Sequence, residues 1–176
     1  MTVLRIRTYM PLYVVAGAAL VAALIVATWP HWGPSLVINS TRSEPRGFYR
    51  LVSHEPQEYR RGMSVVFPVP DTYRGLVYAR RWLPDGVPLL KNVVALAGDQ
   101  VCVFDGRFEV NGKPLGPVYA LDDSGAAMPR IRGCFEIEEG YFFPASSYNP
   151  RSFDGRYIGP QPLSALRGEA RPLWTF

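Results

Sequence analysis

Histidine is almost missing from this 176-residue chain, which has only His31 and His54. Neither is flanked by features of a Ser-His-Asp arrangement, and both read as surface residues. Cysteine is as scarce, with Cys102 and Cys134 alone. Two isolated cysteines and two isolated histidines do not make the spacing of a structural zinc site, so no metal is expected, and no cofactor. A Gly-rich phosphate loop of Walker type is absent. So is any run of Lys and Arg interleaved with aromatics, although the formal charge is +4. Nucleic acid is therefore not expected as a partner. The mild basic excess suits an anionic lipid surface instead. There is no internal repeat and no low-complexity linker.

What is present excludes disorder. Hydrophobic residues make up 48% and aromatics 13% of the chain, enough to bury a core. The length suits one domain plus an appendage. Sixteen Gly and 17 Pro are scattered along it, a pattern of short strands and turns rather than of a helix bundle.

Residues 10–29 carry no charged side chain. About 20 apolar residues match a ~30 Å hydrocarbon core. Arg5 and Arg7 precede this stretch, and no Lys or Arg follows until Arg42. The positive-inside rule then makes residues 1–9 a cytoplasmic N-terminus, 10–29 a transmembrane anchor and 35–176 an exported domain. Tyr13, Trp29 and Trp32 are placed for the two interfaces. A cleaved signal peptide is the competing reading, but Ile25-Val26-Ala27 is a poor small-x-small cleavage site.

Beyond the anchor the pattern is strand-like. Short β-rich runs recur at 36–38, 47–52, 63–67, 89–96, 101–104, 131–137 and 141–143. Phe108-Glu109-Val110, Asn111-Gly112 and Lys113-Pro114-Leu115 read as a hairpin, since Asn-Gly supplies the positive φ of a type I′ turn. Residues 71–82 read as a short helix with Asp71 as N-cap.

Two positions attract chemical attention. Lys91 stands inside an apolar run, flanked by Leu89, Leu90, Val93 and Val94. It either faces solvent from a half-buried strand or is itself buried. In the second case desolvation lowers its pKa, and a neutral amine can take a proton from a hydroxyl. Ser43 precedes a turn set by Pro45 and Gly47. It is either part of an ordinary polar turn or the nucleophile of a Ser–Lys dyad.

Four segments together resemble the signal peptidase I superfamily, and more narrowly the TraF-type conjugative-transfer peptidases. Asn39-Ser40-Thr41-Arg42-Ser43-Glu44-Pro45-Arg46-Gly47-Phe48-Tyr49 resembles the family's nucleophile box. Arg61-Gly62-Met63-Ser64-Val65-Val66-Phe67 resembles the strand box that follows it. Lys91-Asn92-Val93-Val94-Ala95-Leu96-Ala97-Gly98-Asp99 resembles the lysine box. Ser152-Phe153-Asp154-Gly155-Arg156-Tyr157-Ile158-Gly159-Pro160 resembles the last box. The order is the family's, and the resemblance covers nearly the whole chain. Two departures stand out: Ser43-Glu44-Pro45 in place of the general enzymes' Ser-Met-x-Pro, as in the conjugative subgroup, and Asn92 where Arg usually follows the lysine.

The resemblance implies a mainly β protein, a single N-terminal transmembrane helix followed by a twisted antiparallel β-domain. It implies Ser43 as nucleophile, Lys91 as general base, and an oxyanion hole from the Ser43 N–H and the Thr41 hydroxyl. Ser152 would hydrogen-bond and orient the Lys91 amine. Asp154 and Arg156 would pair to hold the last box, or else form a plain surface ion pair. Cys102 and Cys134 would form a disulfide in an exported domain. The implied setting is a bacterial inner membrane with the catalytic domain periplasmic. The implied partners are inner-membrane lipid, a membrane-bound pilin-like precursor and other conjugation-channel proteins. Three alternatives remain at this level: a general signal peptidase, a non-catalytic assembly protein of the channel, and a LexA-like self-cleaving repressor. The last would need a DNA-binding domain where this chain has an apolar stretch.

Overall fold

A computed structural model describes residues 6–32 and 35–176, with side chains described for 13–27 and 36–176. The chain divides into two compact units, Met1–Pro34 and Ser35–Phe176. The first contains one helix, α1 (Ile6–Trp32). Its described side chains, from Tyr13 to Ala27, are exposed around the whole circumference. Among the described residues no helix is long and apolar enough to cross a membrane. The expected span, 10–29, begins and ends on residues whose side chains lie outside the described set.

The second unit is mainly β, in two antiparallel sheets. The larger has seven strands: β1 (Ser35–Asn39), β2 (Gly47–Val52), β3 (Ser64–Phe67), β4 (Leu89–Leu96), β9 (Tyr141–Ala145), β10 (Gln161–Pro162) and β11 (Gly168–Thr175). Their spatial order is β1-β2-β11-β3-β4-β9-β10. The smaller sheet, in the order β7-β6-β5-β8, is made of β5 (Gln100–Phe104), β6 (Gly106–Val110), β7 (Lys113–Val118) and β8 (Gly133–Glu136). Alternating apolar residues build the core on the sheet faces. Val65, Phe67, Leu89, Val93 and Phe142 cluster on one side of the larger sheet. Tyr49, Val66, Leu90 and Ala170 form a separate cluster.

The Asn-Gly turn is where the pattern places it. Asn111 and Gly112 have φ of 50° and 73° and join β6 to β7. The helix read at 71–82 is shorter, α2 (Asp71–Ala79). It stops because Arg81 takes φ of 55°, which a right-handed helix cannot continue. Its N-cap is Pro70, so Asp71 sits inside the first turn. There it pairs with Arg74 at 2.9 Å. The strand read at 131–137 begins only at Gly133, whose φ is 108°. His54 is not a surface residue: its side chain is 14% exposed and bonds Glu169 at 2.7 Å.

Cys102 on β5 and Cys134 on β8 are direct cross-strand partners and are bonded as a disulfide. Their separation of 32 residues sets the size of the loop closed in the unfolded chain. Replacing both by serine is expected to destabilise the full chain by about 3–4 kcal/mol. Urea unfolding of oxidised wild type and double variant measures this.

Candidate active site

The loop between β1 and β2 carries Ser43, and the side chain of Asn39 closes it. The Asn39 Nδ2 donates to the Glu44 and Pro45 carbonyls at 2.9 and 3.0 Å. Its Oδ1 accepts from the Thr41 N–H at 3.1 Å and the Thr41 hydroxyl at 2.8 Å. Asn39 is buried, so both ends of its amide are spent on holding the turn. Tyr49 Oη adds a bond to the Pro45 carbonyl at 2.6 Å. The exit is fixed by a close approach: a Cβ on Gly47 would lie 2.1 Å from the Trp174 carbonyl oxygen. Only glycine fits there, and its φ of 153° agrees.

Ser43 Oγ lies 2.9 Å from Thr41 Oγ1. Thr41 has one hydroxyl hydrogen, and Asn39 Oδ1 can only accept, so that hydrogen goes to Asn39. Ser43 is therefore the donor in the pair. In this arrangement the Thr41 hydroxyl has no hydrogen left for an oxyanion. The oxyanion role read for Thr41 needs it to release Asn39 first.

Lys91 sits on β4 opposite Val65 of β3. It shares its sheet face with Leu89 and Val93, which belong to the apolar cluster, and it is 2% exposed. Of the two situations open to it, the structure has the buried one. Burial pulls its ammonium down to about 8, against the field of Asp154 and Glu44, which favour the charged form; Arg156 adds to the lowering. A cavity of about 520 Å³ is lined by Ser43, Lys91, Thr41 and Ser152, with Trp82 and Tyr157 among its aromatic walls. A second cavity of about 40 Å³, walled by Val37, Val66 and Leu90, is also lined by Thr41, Ser43 and Lys91. The serine and the lysine thus stand where the two cavities meet.

Ser152 lines the larger cavity, but its Oγ is buried without a hydrogen-bond partner. The expected bond to the Lys91 amine is not formed. Asp154 and Arg156 are not a surface pair. Their side chains are 0% and 1% exposed, joined by Nε to Oδ1 at 2.8 Å and Nη2 to Oδ2 at 2.7 Å. Asp154 Oδ2 also accepts from the Ser146 N–H at 2.9 Å. Gly155 is required beside them, since a Cβ there would meet the Pro144 carbonyl oxygen at 2.4 Å.

Three residues at this site were given no role of their own in the sequence. Ser146, in Ser146-Ser147, donates its hydroxyl to the Ser43 carbonyl. Asn39 organises the turn. Glu44 is 4% exposed, with Oε1 lacking a partner. Burial pushes its carboxyl up to about 7, opposed by Lys91 and by Ser146, with Asp154 adding to the rise. No group of three or more His, Cys, Asp and Glu among the described residues could hold a metal ion.

A family model described as "Signal peptidase, peptidase S26" matches residues 6–174. The conjugal transfer protein TraF of Agrobacterium fabrum is 33% identical over 79% of this chain and 82% of its own length. A plasmid transfer protein TraF of Escherichia coli is 30% identical over 93% of this chain and 95% of its own. Among solved structures, a signal peptidase I of Enterococcus faecalis aligns with a TM-score of 0.39 at 20% identity, covering 64% of this chain and 96% of that one.

Proposed function

Since the chain belongs to the signal peptidase S26 family and has TraF proteins of conjugal transfer among its relatives, we propose that it is a Ser–Lys endopeptidase maturing an exported precursor, a conjugative pilin subunit. The observation that carries this reading is the buried Lys91 sharing both cavities with Ser43. In the proposed reaction the neutral Lys91 amine takes the Ser43 Oγ proton as Oγ attacks the scissile carbonyl. The proton then passes to the leaving amine, and an acyl-enzyme on Ser43 remains. The Ser43 N–H supplies one oxyanion donor, and Thr41 supplies the second once released from Asn39. Losing one such donor costs ~2.7–4 kcal/mol of transition-state stabilisation. Water resolves the acyl-enzyme to a linear product. The client's own N-terminal amine resolves it to a circular one.

The same reading gives the chain its setting. Residues 10–29 anchor it in a bacterial inner membrane, with residues 1–9 cytoplasmic and 35–176 periplasmic. Its partners there are the precursor, the lipid and other proteins of the conjugation channel.

Intact mass of the pilin precursor in cells carrying wild type or Ser43→Ala tests the proposal. Wild type is expected to cut the precursor and Ser43→Ala to leave it whole. Cutting by Ser43→Ala would remove the peptidase reading and bring the assembly-protein reading forward. A product roughly 18 Da (one water) lighter than the linear fragment identifies resolution by the amine. Because the free amine is the active form of Lys91, kcat/KM is expected to rise with pH through about 8. A pH–rate profile flat from 6 to 9 would contradict this, in a purified assay spanning roughly those values.

A further inference from the structure

The proposed reaction gives Ser43 and Lys91 their tasks but leaves most walls of the larger cavity without one. The two cavities that meet at the dyad differ greatly in size. The smaller, about 40 Å³, has room for little more than a methyl group. The larger, about 520 Å³, is of the size that holds a sizeable ligand group. Its apolar walls come from three places. Trp82 follows α2, Phe153 and Tyr157 belong to the last box, and Leu121 and Met128 lie between β7 and β8. Trp82 and Phe153 have ring centroids 5.0 Å apart, and Phe153 stacks on Tyr157 at 5.9 Å. The three rings form one aromatic row.

The segment 119–128 is a built wall rather than a slack loop. Leu121 and Ala127 pair in an antiparallel bridge. Asp122 Oδ1 accepts from the Ser124 N–H, the Ser124 hydroxyl and the Ala126 N–H at 2.9, 2.6 and 2.9 Å, which closes the turn. Arg80 at the end of α2 clasps it twice, donating to Asp122 Oδ2 at 2.9 Å and to the Ala127 carbonyl at 2.8 Å. Arg151 pairs with Asp123 at 2.8 Å and lies over the Tyr119 ring at 4.2 Å. The Tyr119 N–H donates to Tyr157 Oη at 3.0 Å. Both aspartates of this hairpin are thus already paired with arginines, which leaves its apolar side chains to meet a ligand. Leu121 lines the cavity and is still 51% exposed, so a partner placed there gains by covering it.

We propose that the larger cavity is a specificity pocket for a bulky apolar or aromatic side chain of the precursor close to the scissile bond, with Leu121 and Trp82 selecting it. The inference rests on Ser43 and Lys91 being the dyad of the proposed peptidase, because a polypeptide cut there crosses the point where the two cavities meet. Such a chain offers a small residue to one cavity and a large one to the other. Recognition is by burial of apolar surface against a preformed wall, with no covalent step of its own.

Fluorescein-labelled peptides spanning the precursor's cut site test this, with the residues on either side of the bond exchanged one at a time for alanine. Their affinities are read by anisotropy on full-length Ser43→Ala. Exchange of one bulky apolar residue is expected to weaken binding by about tenfold or more. Adding Leu121→Ala is expected to cost the parent peptide roughly fivefold in affinity and its alanine counterpart little, so that the two losses are coupled. Because Leu121 is half exposed, its truncation spares the fold, and an unchanged urea midpoint checks this. Trp82→Leu is expected to narrow the gap between the two peptides in the same way. A merely structural role for the hairpin would weaken both peptides alike. Equal affinity of all the peptides, or equal weakening of both by Leu121→Ala, would overturn the inference, even with Ser43→Ala inactive on the precursor and the peptidase reading intact. Discrimination that depends on Leu121, alongside a Ser43→Ala chain that still cuts the precursor in cells, would uphold the pocket and remove the Ser–Lys reading instead.

Discussion

Replacing Lys91 by methionine is expected to abolish precursor processing, with a loss of roughly 10⁴–10⁶-fold in kcat/KM, and to make the folded protein more stable. The two effects have one cause. The Lys91 side chain is almost wholly enclosed, next to Leu89 and Val93 on an apolar sheet face. Methionine has similar length and no charge to desolvate. In the proposed reaction, removing the amine removes the proton acceptor, and Ser43 loses its activation. It also removes a burial penalty, on the order of 3 kcal/mol at neutral pH. The sign follows from the direction of the shift. Folding lowers the ammonium from its ordinary value of 10.5 to about 8. The folded state therefore binds this proton less tightly than the unfolded chain. The wild type pays the penalty in full below about pH 8, and the penalty fades as pH rises toward the unfolded value. The stability advantage of methionine is accordingly largest below pH 8 and shrinks toward pH 10.5. Urea unfolding across that range, beside precursor processing, checks both halves. A Lys91→Met chain that is less stable at pH 7 would mark the lysine as a structural group.

Asp154→Asn is the second large effect, and it acts on the fold. It leaves the Arg156 guanidinium, 1% exposed, without its counter-ion. The remaining partners are carbonyl oxygens: Pro150 at 2.6 Å, Pro117 at 3.0 Å, and Asn149 and Ser152 each at 3.4 Å, with the Phe108 ring centroid 5.4 Å from Cζ. They accept hydrogen bonds but do not balance a full charge. Breaking a buried pair on one side typically costs about 3–5 kcal/mol. Asparagine can still cap the short helix that begins at Gly155, so the loss reads as charge rather than as a missing cap. Adding Arg156→Met to Asp154→Asn removes the orphaned cation and is expected to recover part of the stability. Urea unfolding of the single and double variants measures both. A single variant within about 1 kcal/mol of wild type would place Arg156 in contact with water.

Some of this was readable from local pattern and some was not. The β6–β7 hairpin was legible because Asn-Gly demands a positive φ that few other pairs supply. The order of the four boxes located Ser43, Lys91, Asp154 and Arg156, since each carries its own neighbours with it. The burial of Lys91 was not legible, because an apolar strand run looks the same whether its lysine faces water or a core. What decides it is the covering of both sheet faces by segments distant in the chain. Glu44 registered only as a mark of the subgroup, and its burial was missed for a related reason. A glutamate in a polar turn reads as solvated, and its burial comes from the fold around the turn. The Ser152–Lys91 bond came from analogy, and here both residues line the same cavity without that bond. His54 read as a surface residue because its partner, Glu169, lies 115 positions away.

Strand β11 has one more consequence, in the order in which the domain can form. It pairs with β2 on one side and β3 on the other, so it separates the β1–β2 pair that leads into Ser43 from the β3–β4 pair that carries Lys91. The strands around Ser43 and Lys91 therefore join one sheet only through residues 168–175, which lie between them. Such a pairing is among the most distant in the chain, and closures of that kind come slowly. A chain without residues 168–175 in place would hold Ser43 and Lys91 on separate strand pairs.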